Sequence, residues 1–423
     1  MGRRLPARSP PAVCSGTVAP PRVLAVLPAF IPSTVISVVK PLVRLHRARR
    51  IRARIALEHF TRPRDLEWAE VAAFCRNSEA RFARHREALL ERGTPFVYDL
   101  DDNLFEIPAD SEEGRSWHEP TRIAELTRYV ERASLVRVYS DELRSRLAAL
   151  NPRVVRVAPS LDWSLVPSEE PRRQPSRVRV VYVTSRLQDE LARVFVPDLG
   201  RFLDRYGERV EVTFWGGAAV PLNRPGVRRL AQVPDYDSFL SRLGRSGFDV
   251  GLAPLVDDAF HRCKTNNKYR EYGACRIAGV YSDVSVYSSC VQHERTGLLV
   301  PAREGAWLEA LSRLVEDPRL RASIQEDARA DVRARYSQER VEEDWLEQIE
   351  RLRRAGPVAP SGVADPWPGA ALANGTGDLV SRFQRAAGRL RRTGPRATLR
   401  GMYWYAHGLR TMLSLRRELS RFE

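Results

Sequence analysis

Two lysines lie four residues apart in a short segment that also carries a glutamate. The chain has 69 Lys and Arg residues, but lysine occurs only at Lys40, Lys264 and Lys268. Arginine supplies the rest, so a pair of lysines indicates a place where a compact ammonium group is needed and a planar guanidinium does not fit. Such an ammonium binds a phosphate as a point charge. Lys264 and Lys268 are therefore candidate phosphate ligands.

The residues between and after these lysines have the pattern of a helix start. If Thr265 or Asn266 caps a helix that begins at Asn267, its first backbone N–H groups and its positive dipole end form an anion site. Lys268 and Glu271 would then lie three residues apart on one face of that helix. The segment offers cations for a diphosphate and a carboxylate for hydroxyl groups, and a nucleotide has both. An ordinary surface Lys–Glu pair is the alternative.

A second polar cluster follows a predicted strand over residues 94–100 and reads Asp99-Leu100-Asp101-Asp102-Asn103. It resembles the nucleophile motif of haloacid-dehalogenase phosphatases, in which Asp99 would attack phosphorus and Asp101 would handle the leaving-group proton with magnesium. It also resembles the metal clamp of GT-A glycosyltransferases, and a Tyr-Asp-x-Asp-Asp turn in the N-terminal half of some GT-B enzymes. Capping of a helix by Asp102 or Asn103 would need no function at all.

Strands and helices alternate along both halves of the chain. In the first half, the pattern predicts strands over 22–27, 52–59, 94–100, 135–139 and 154–158, and helices over 34–49, 78–92, 122–133 and 141–150. In the second half, it predicts strands over 178–183, 209–215, 249–253 and 278–281, and helices over 189–206, 236–243, 267–275, 307–315 and 337–354. Such alternation predicts parallel βαβ units and two doubly wound α/β domains.

Composition marks the boundaries of these domains. Residues 1–20 and 357–380 are rich in small residues and proline and are predicted to be disordered. A Pro/Arg/Ser stretch over 167–176 reads as a linker. The predicted domains therefore span residues 21–166 and 177–356.

The formal charge of +16 is concentrated at the C-terminus. Residues 381–423 contain eleven arginines and two glutamates, interleaved with leucine, methionine and aromatic residues. This pattern predicts a basic amphipathic helix on an anionic membrane surface. No nucleic-acid-binding motif accompanies it, so we expect no nucleic-acid partner. A helix that packs on the rest of the protein is the remaining alternative.

The cysteines and the apolar segments bear on localisation. The five cysteines are scattered without metal-ligand spacing, which indicates free thiols in a reducing compartment. Residues 23–39 are apolar but are interrupted by Pro28 and Pro32, and a spanning helix needs about 20 apolar residues. We expect a cytoplasmic protein, peripheral on the inner face of the cell membrane.

From about residue 178 to residue 336, the chain resembles the C-terminal, donor-binding half of GT-B glycosyltransferases of the large retaining bacterial group (glycosyl transferases group 1-like). The resemblance rests on the order and spacing of residues 248–255, 264–274, 282–284 and 293–300. It implies a GT-B fold with two Rossmann-like domains facing a cleft. It also implies that Glu271 hydrogen-bonds the ribose of a nucleotide-sugar donor, and that the rest of the donor contacts Arg186, Lys264, Asn267, Lys268, Thr296 and Gly297.

Three positions depart from the pattern of that group. Cys263 stands where the first glutamate of a Glu-x7-Glu motif contacts the donor sugar, and Arg276 and Ala278 replace a usual glycine and proline. Asp101 and Asp102 are assigned to the acceptor side of the cleft as catalytic residues. No cofactor and no metal are expected.

The function implied is transfer of a sugar from a nucleotide-diphosphate-sugar donor to a glycan or lipid-linked acceptor, in cell-surface polysaccharide synthesis. Two alternatives remain open at this point. One is a magnesium-dependent phosphatase that uses Asp99 and Asp101, and the other is a pseudoenzyme that binds nucleotide sugars without catalysis.

Overall fold

The computed structural model describes residues 19–109, 112–171, 176–184, 190–217, 222–355 and 408–421. The first domain contains six strands: β1 (Arg22–Leu27), β2 (Arg52–Leu57), β3 (Val71–Cys75), β4 (Phe96–Leu100), β5 (Leu135–Val138) and β6 (Val154–Arg156). Its helices are α1 (Pro32–Thr34), α2 (Lys40–Arg47), α3 (Pro63–Trp68), α4 (Ala83–Glu91), α5 (Glu112–Trp117), α6 (Pro120–Arg132) and α7 (Asp141–Leu147).

The second domain repeats this plan. Its strands are β7 (Val178–Thr184), β8 (Val210–Gly216), β9 (Val227–Leu230), β10 (Val250–Ala253), β11 (Ala278–Ser282) and β12 (Leu298–Val300). Its helices are α8 (Val196–Tyr206), α9 (Tyr236–Arg245), α10 (Asn267–Ala274), α11 (Ser285–Ser288), α12 (Ala306–Glu316) and α13 (Pro318–Arg335), and α14 (Gln338–Ala355) follows.

Both sheets are parallel and doubly wound. The strand order is β2-β1-β3-β4-β5-β6 in the first and β12-β11-β10-β7-β8-β9 in the second. Strands such as β3 and β4 are buried along their whole length because helices cover both faces, and apart from Asp99 they therefore read as continuous apolar runs. The predicted pair of α/β domains is confirmed.

Strand β9 and helix α13 are among the elements that the sequence did not indicate. Strand β9 is an edge strand with the sequence Val-Arg-Arg-Leu and mostly exposed side chains, so it lacks the apolar run of a buried strand. Helix α13 is largely charged and buries only Ile324, Gln325, Ala328 and Val332. Its start is fixed by Asp317, whose carboxylate accepts a hydrogen bond from the Leu320 amide at 2.9 Å.

Helix α14 packs on the first domain, although the sequence had placed it in the second, within 177–356. Its apolar residues recur every three or four positions and form one stripe in the core beneath α2, made of Val341, Trp345, Ile349 and Leu352. The Trp345 indole donates to the Ser37 carbonyl at 2.9 Å, and the Arg137 guanidinium lies 4.0 Å from the centre of its ring. The chain thus returns to the first domain after it completes the second.

The described part of the C-terminal tail also packs on the first domain. Residues 408–419 form a helix, called here the tail helix. Met412 and Leu419 are buried in the first-domain core, and the Leu419 carbonyl lies 3.0 Å from His46 Nε2. This apolar face is therefore occupied by protein, as in the alternative of a helix packed on the enzyme. The predicted membrane segment over 381–407 and the predicted disordered segment over 357–380 lie outside the described residues.

None of the helices in the described ranges combines the length and the apolar composition that a bilayer crossing requires. The cysteines there, Cys75, Cys263, Cys275 and Cys290, are buried free thiols.

Replacement of Trp345 by alanine tests whether α14 belongs to the first domain. The indole is fully buried, so we expect Trp345→Ala to lower the free energy of unfolding by about 3–5 kcal/mol. Native-state hydrogen exchange should show this loss of stability as faster exchange of the backbone amides of β1 and β3. The matched control is Trp307→Ala, because Trp307 is buried in the core of the second domain and its loss should instead expose β7 and β8. The assignment is wrong if Trp345→Ala weakens only the second sheet.

Candidate functional site

Helix α10 starts after strand β10 and a loop, and its first residues lie where the two domains meet. The predicted side-chain cap by Thr265 or Asn266 is wrong. The Thr265 hydroxyl donates to Asn267 Oδ1 at 2.8 Å. The Asn266 amide donates to the Tyr336 hydroxyl at 2.8 Å, and its oxygen accepts from Arg270 at 3.1 Å. These side chains fasten the loop to neighbouring elements, and the N-cap position supplies no side-chain acceptor to the first helical amides.

Lys268 and Glu271 lie on one face of α10, as predicted. The Lys268 ammonium is 2.7 Å from Glu271 Oε2 and 5.7 Å from the centre of the Phe239 ring. The Glu271 side chain is only 5% exposed. The Lys268 ammonium offsets the cost of burying the Glu271 carboxylate. The pair lies at the edge of the sheet where parallel α/β folds bind ligands.

Lys264 reaches across to the first domain. Its ammonium lies 3.1 Å from Asp102 Oδ1 and 4.1 Å from the centre of the Phe260 ring. Both side chains of the ion pair are 18% exposed. The structure therefore brings together one predicted donor residue and one predicted acceptor-side residue, in an ion pair between the two domains.

Arg76 completes this cluster, and no sequence pattern had indicated it. Its guanidinium donates from Nε to Asp101 and from Nη2 to Asp102. Arg76 follows β3 with a φ of 60°, in the left-handed region that a residue with a side chain seldom adopts. Such strain is retained where surrounding contacts enforce it, and here two carboxylates do so. Arginine is so common in this chain that the presence of one more arginine does not indicate a functional site.

The charges in this cluster determine what Asp102 can do. Burial alone would raise the pKa of Asp102, but Lys264 and Arg76 outweigh burial and hold it below its ordinary value. Burial also opposes the charge of Arg76, but Asp101 and Asp102 raise its pKa. A carboxylate with a lowered pKa is a weak base. Asp102 is therefore suited to stabilising a positive charge and not to accepting a proton.

Asp99 is enclosed in the first domain. Its carboxylate accepts hydrogen bonds from the Tyr139 hydroxyl at 2.8 Å and from Arg137 at 3.2 Å. Burial raises its pKa to about 6, against the opposing effect of Arg137. A phosphatase nucleophile must meet its substrate, whereas the Asp99 side chain has no exposed surface. The geometry does not favour the phosphatase alternative.

Cys263 is an interdomain packing residue. It is fully buried against apolar side chains of the first domain, among them Leu100, Leu104 and Leu143. Its carbonyl accepts a hydrogen bond from the Ser140 hydroxyl at 3.2 Å. Burial raises the pKa of the thiol to about 11. A glutamate at this position would place a charge in a buried site at a high cost.

The departures at Arg276 and Ala278 lie at the opposite end of α10 from the lysines. Arg276 has a φ of 54° just after the helix, the position where helices commonly end in a left-handed glycine. Its side chain pairs with Glu326 at 2.9 Å. Ala278 is the first residue of β11 and pairs with Val250. These contacts are with α13 and β10, at the end of α10 that does not carry the lysines.

Thr296 and Gly297 lie close to α10, because the Thr296 side chain hydrogen-bonds Tyr269 of that helix. They precede β12, at the edge where its chain enters the sheet. The Thr296 hydroxyl accepts from the Gln292 amide at 2.9 Å, and Gly297 packs so closely on the Tyr281 ring that a Cβ would lie 2.6 Å from it. These contacts fix the positions of the two residues, and their contact with the donor stays a prediction. Arg186 lies outside the described residues.

The third lysine also joins the domains. The Lys40 ammonium of α2 is 2.7 Å from Asp162, in the crossover between domains, and 2.7 Å from Asp237 of α9. No local pattern could indicate these pairs, because Lys40 is more than a hundred positions from either aspartate.

The domains are closed on each other beside this cluster. The crevice between them has a free volume of about 20 Å³, which is room for about one water molecule. Its lining includes Ser37, Asp101, Tyr139, Ser160, Asn267 and Arg270. A substrate at this point must separate the domains, as hinged two-domain enzymes do.

No protein-family model matches the chain, and no curated protein is significantly similar in sequence. Solved structures do match its fold. Sucrose-phosphate synthase from Thermosynechococcus elongatus superposes with a TM-score of 0.59 at 14% identity, over 79% of this chain and 100% of the other. HepE from Anabaena, solved with UDP-glucose, gives 0.57 at 13% identity, over 78% and 99%.

A glycosyltransferase from Rickettsia africae gives a TM-score of 0.53 at 11% identity, over 79% of this chain and 99% of the other. With two parallel Rossmann-like domains facing a cleft, the chain has the GT-B fold of glycosyltransferases.

Glu58 provides a pH test of the first domain near the cleft. It is buried at the carboxyl end of β2, where Asn77 donates to it at 2.6 Å. Burial raises its pKa from 4.5 to about 7. The folded state therefore holds this proton more tightly than the unfolded state, and the resulting stability is present below pH 4.5 and lost as the pH rises to about 7.

Glu58→Gln should remove this dependence. Relative to the wild type, the variant should gain about 2–4 kcal/mol of unfolding free energy between pH 4.5 and pH 8. Urea unfolding at a series of pH values measures the gain. The control is Glu67→Gln, an exposed position, whose offset from the wild type should not vary with pH. A pH-independent offset for Glu58→Gln would contradict the assignment.

Proposed function

We propose that this protein is a glycosyltransferase that moves a sugar from a nucleotide-diphosphate-sugar donor to a glycan or lipid-linked acceptor. The observation that carries the proposal is the Lys268–Glu271 pair in the first turns of α10, with Lys264 just before the helix bonded across to the first domain. Support comes from the GT-B fold and from HepE, a structure of this fold solved with UDP-glucose.

In this proposal each donor residue has one task. Glu271 accepts hydrogen bonds from the ribose hydroxyls. Lys264 and Lys268 offset the charge that develops on the departing diphosphate, which is the main electrostatic requirement of such a transfer. Asn267 and Arg186 contact the remainder of the donor.

Asp101 and Asp102 face the acceptor, and Arg76 positions both of them. Because Asp102 holds Lys264 in the closed structure, the donor diphosphate replaces Asp102 as the partner of this ammonium when the cleft opens. Donor binding is thereby coupled to separation of the domains. The transfer is proposed to retain the anomeric configuration and to need no metal ion, and the acceptor is proposed to belong to cell-surface polysaccharide synthesis.

A thermal-shift panel of nucleotide sugars, with and without magnesium and EDTA, tests the assignment. We expect one nucleoside diphosphate and its sugar conjugate to stabilise the protein equally with and without metal, and the conjugate to be consumed when a lipid-linked acceptor is added. Binding without transfer would identify a nucleotide-sugar-binding pseudoenzyme. Turnover of phosphomonoesters that requires magnesium and is lost in Asp99→Asn would reject the proposal.

The role of Lys268 separates phosphate binding from nucleoside binding. Lys268→Ala should weaken binding of the nucleoside diphosphate about tenfold or more, the usual worth of a charge-assisted hydrogen bond, and should leave binding of the nucleoside nearly unchanged. Isothermal titration calorimetry measures both. The control is Arg262→Ala on the same loop, where the arginine is paired with exposed Asp257. Equal weakening of both ligands would refute the phosphate role.

The competition for Lys264 makes a second prediction. Asp102→Asn removes the carboxylate that holds this ammonium, so the nucleoside diphosphate should bind about fivefold more tightly, which corresponds to roughly 1 kcal/mol. Sugar transfer should fall in the same variant. Asp141→Asn, at an exposed pair with Arg144, is the matched control. Weaker binding by Asp102→Asn would show that Asp102 helps to build the donor site instead of competing for it.

A further inference from the structure

A groove separate from the interdomain cleft lies between the tail helix and helix α3. Its volume is about 390 Å³, within the range of about 300–1,000 Å³ that small-molecule sites occupy. The floor is the edge of the first sheet, where Ala53 and Ile55 of β2 lie. One wall belongs to β2 and α3 and the other to the tail helix, so the groove exists only because the tail helix packs on this domain.

The walls of the groove carry an excess of positive charge. Arg54 and Arg64 line one wall and Arg416 lines the other, while Asp65 is the one carboxylate among the described lining residues. Asp65 is already engaged, because its carboxylate accepts from the Arg62 amide at 3.2 Å and pairs with Arg54 at 3.5 Å. One carboxylate therefore faces at least three guanidinium groups.

Arg54 and Arg416 also pack against uncharged side chains. The Arg54 guanidinium lies 4.1 Å from the centre of the Trp68 ring, in a cation–π contact. Arg416 is half-buried between Met412 and Leu419, the tail-helix residues that enter the core. Its guanidinium makes no ion pair or hydrogen bond with any other described residue. Burial lowers its pKa, and Arg62, Arg64 and Arg54 add to this effect against Asp65.

We propose that this groove is a second binding site, which takes a phosphate group between Arg54, Arg64 and Arg416. Converging guanidinium groups present planar sets of N–H donors that match phosphate oxygens. An anion would also relieve the repulsion among the arginines. Because the groove is larger than a bare phosphate, its ligand is a phosphate ester, either a soluble phosphomonoester or the headgroup of an anionic lipid. The site goes beyond the proposed transferase function and does not depend on it.

Titration of the full chain with glycerol 3-phosphate, and co-sedimentation with vesicles of equal parts phosphatidylcholine and phosphatidylglycerol, test the two sources. Arg416→Gln should weaken whichever binding is observed by about tenfold or more. The matched control is Arg417→Gln, which removes the same charge from an exposed position of the same helix and should change binding by no more than about twofold. Arg64→Gln reports from the opposite wall and does not disturb the packing of the tail helix.

Both assays are repeated with Lys268→Ala to distinguish the groove from the donor site. Binding to the groove should persist in this variant. If Arg416→Gln weakens binding of glycerol 3-phosphate only, the ligand is a soluble phosphomonoester. If it weakens binding to vesicles only, the ligand is a lipid headgroup. Equal weakening by Arg416→Gln and Arg417→Gln would show that only the general charge of the tail matters and would overturn the proposal. Absence of binding in both assays would overturn it as well.

Discussion

The closed arrangement of the two domains depends on the charge of Asp102. This carboxylate accepts Arg76 from its own domain and Lys264 from the other, and the two cations keep it ionised despite burial. Removal of one partner from a buried ion pair leaves an uncompensated charge, which is strongly unfavourable. The interface can therefore open only if solvent or another anion takes over the ammonium of Lys264. The chemistry of the cleft and the relative position of the domains are linked through this one group.

Covalent connectivity strengthens the same arrangement. After the second sheet is complete, α14 returns to the first domain and buries Trp345 beside Arg137, and the tail helix adds Met412 and Leu419 to the same core. The first domain is thus built from segments at both ends of the chain. The chain connects the domains twice, before β7 and again before α14. Both connections must bend when the domains separate, while α14 stays packed on the first domain. A hinge near the start of α14 is therefore the simplest way for the cleft to open.

The fold could be predicted from the sequence because its strands are buried on both faces and read as continuous apolar runs. The alternation with helices then determined a parallel topology. The packing of α14 could not be predicted, since a helical stripe shows that a face is buried but not which surface covers it. For the same reason the tail helix was expected on a membrane, whereas its apolar face meets the first domain.

The contacts of the candidate site could likewise be predicted from the sequence only in part. Lys268 and Glu271 are three residues apart on one helix, so their pairing was predictable from helical geometry. The pairs of Lys264 with Asp102 and of Lys40 with Asp237 join distant parts of the chain, and no local pattern indicates them. Arg76 could not be singled out among the many arginines. Thr296 and Gly297 matched a family pattern in order and spacing, and their contact with the donor stays a prediction.

The distribution of lysine and arginine follows from what each contact must do. Arg76 binds Asp101 and Asp102 at once through the fixed geometry of its guanidinium, and such a two-point contact resists exchange. Each of the three lysines instead meets a carboxylate through a compact ammonium with rotatable donors. An ammonium can pass from a carboxylate to a phosphate by turning about its flexible stem, with little change in the position of the helix that carries it. Under the proposed function, arginine is used where an ion pair must persist and lysine where the partner must change during the reaction.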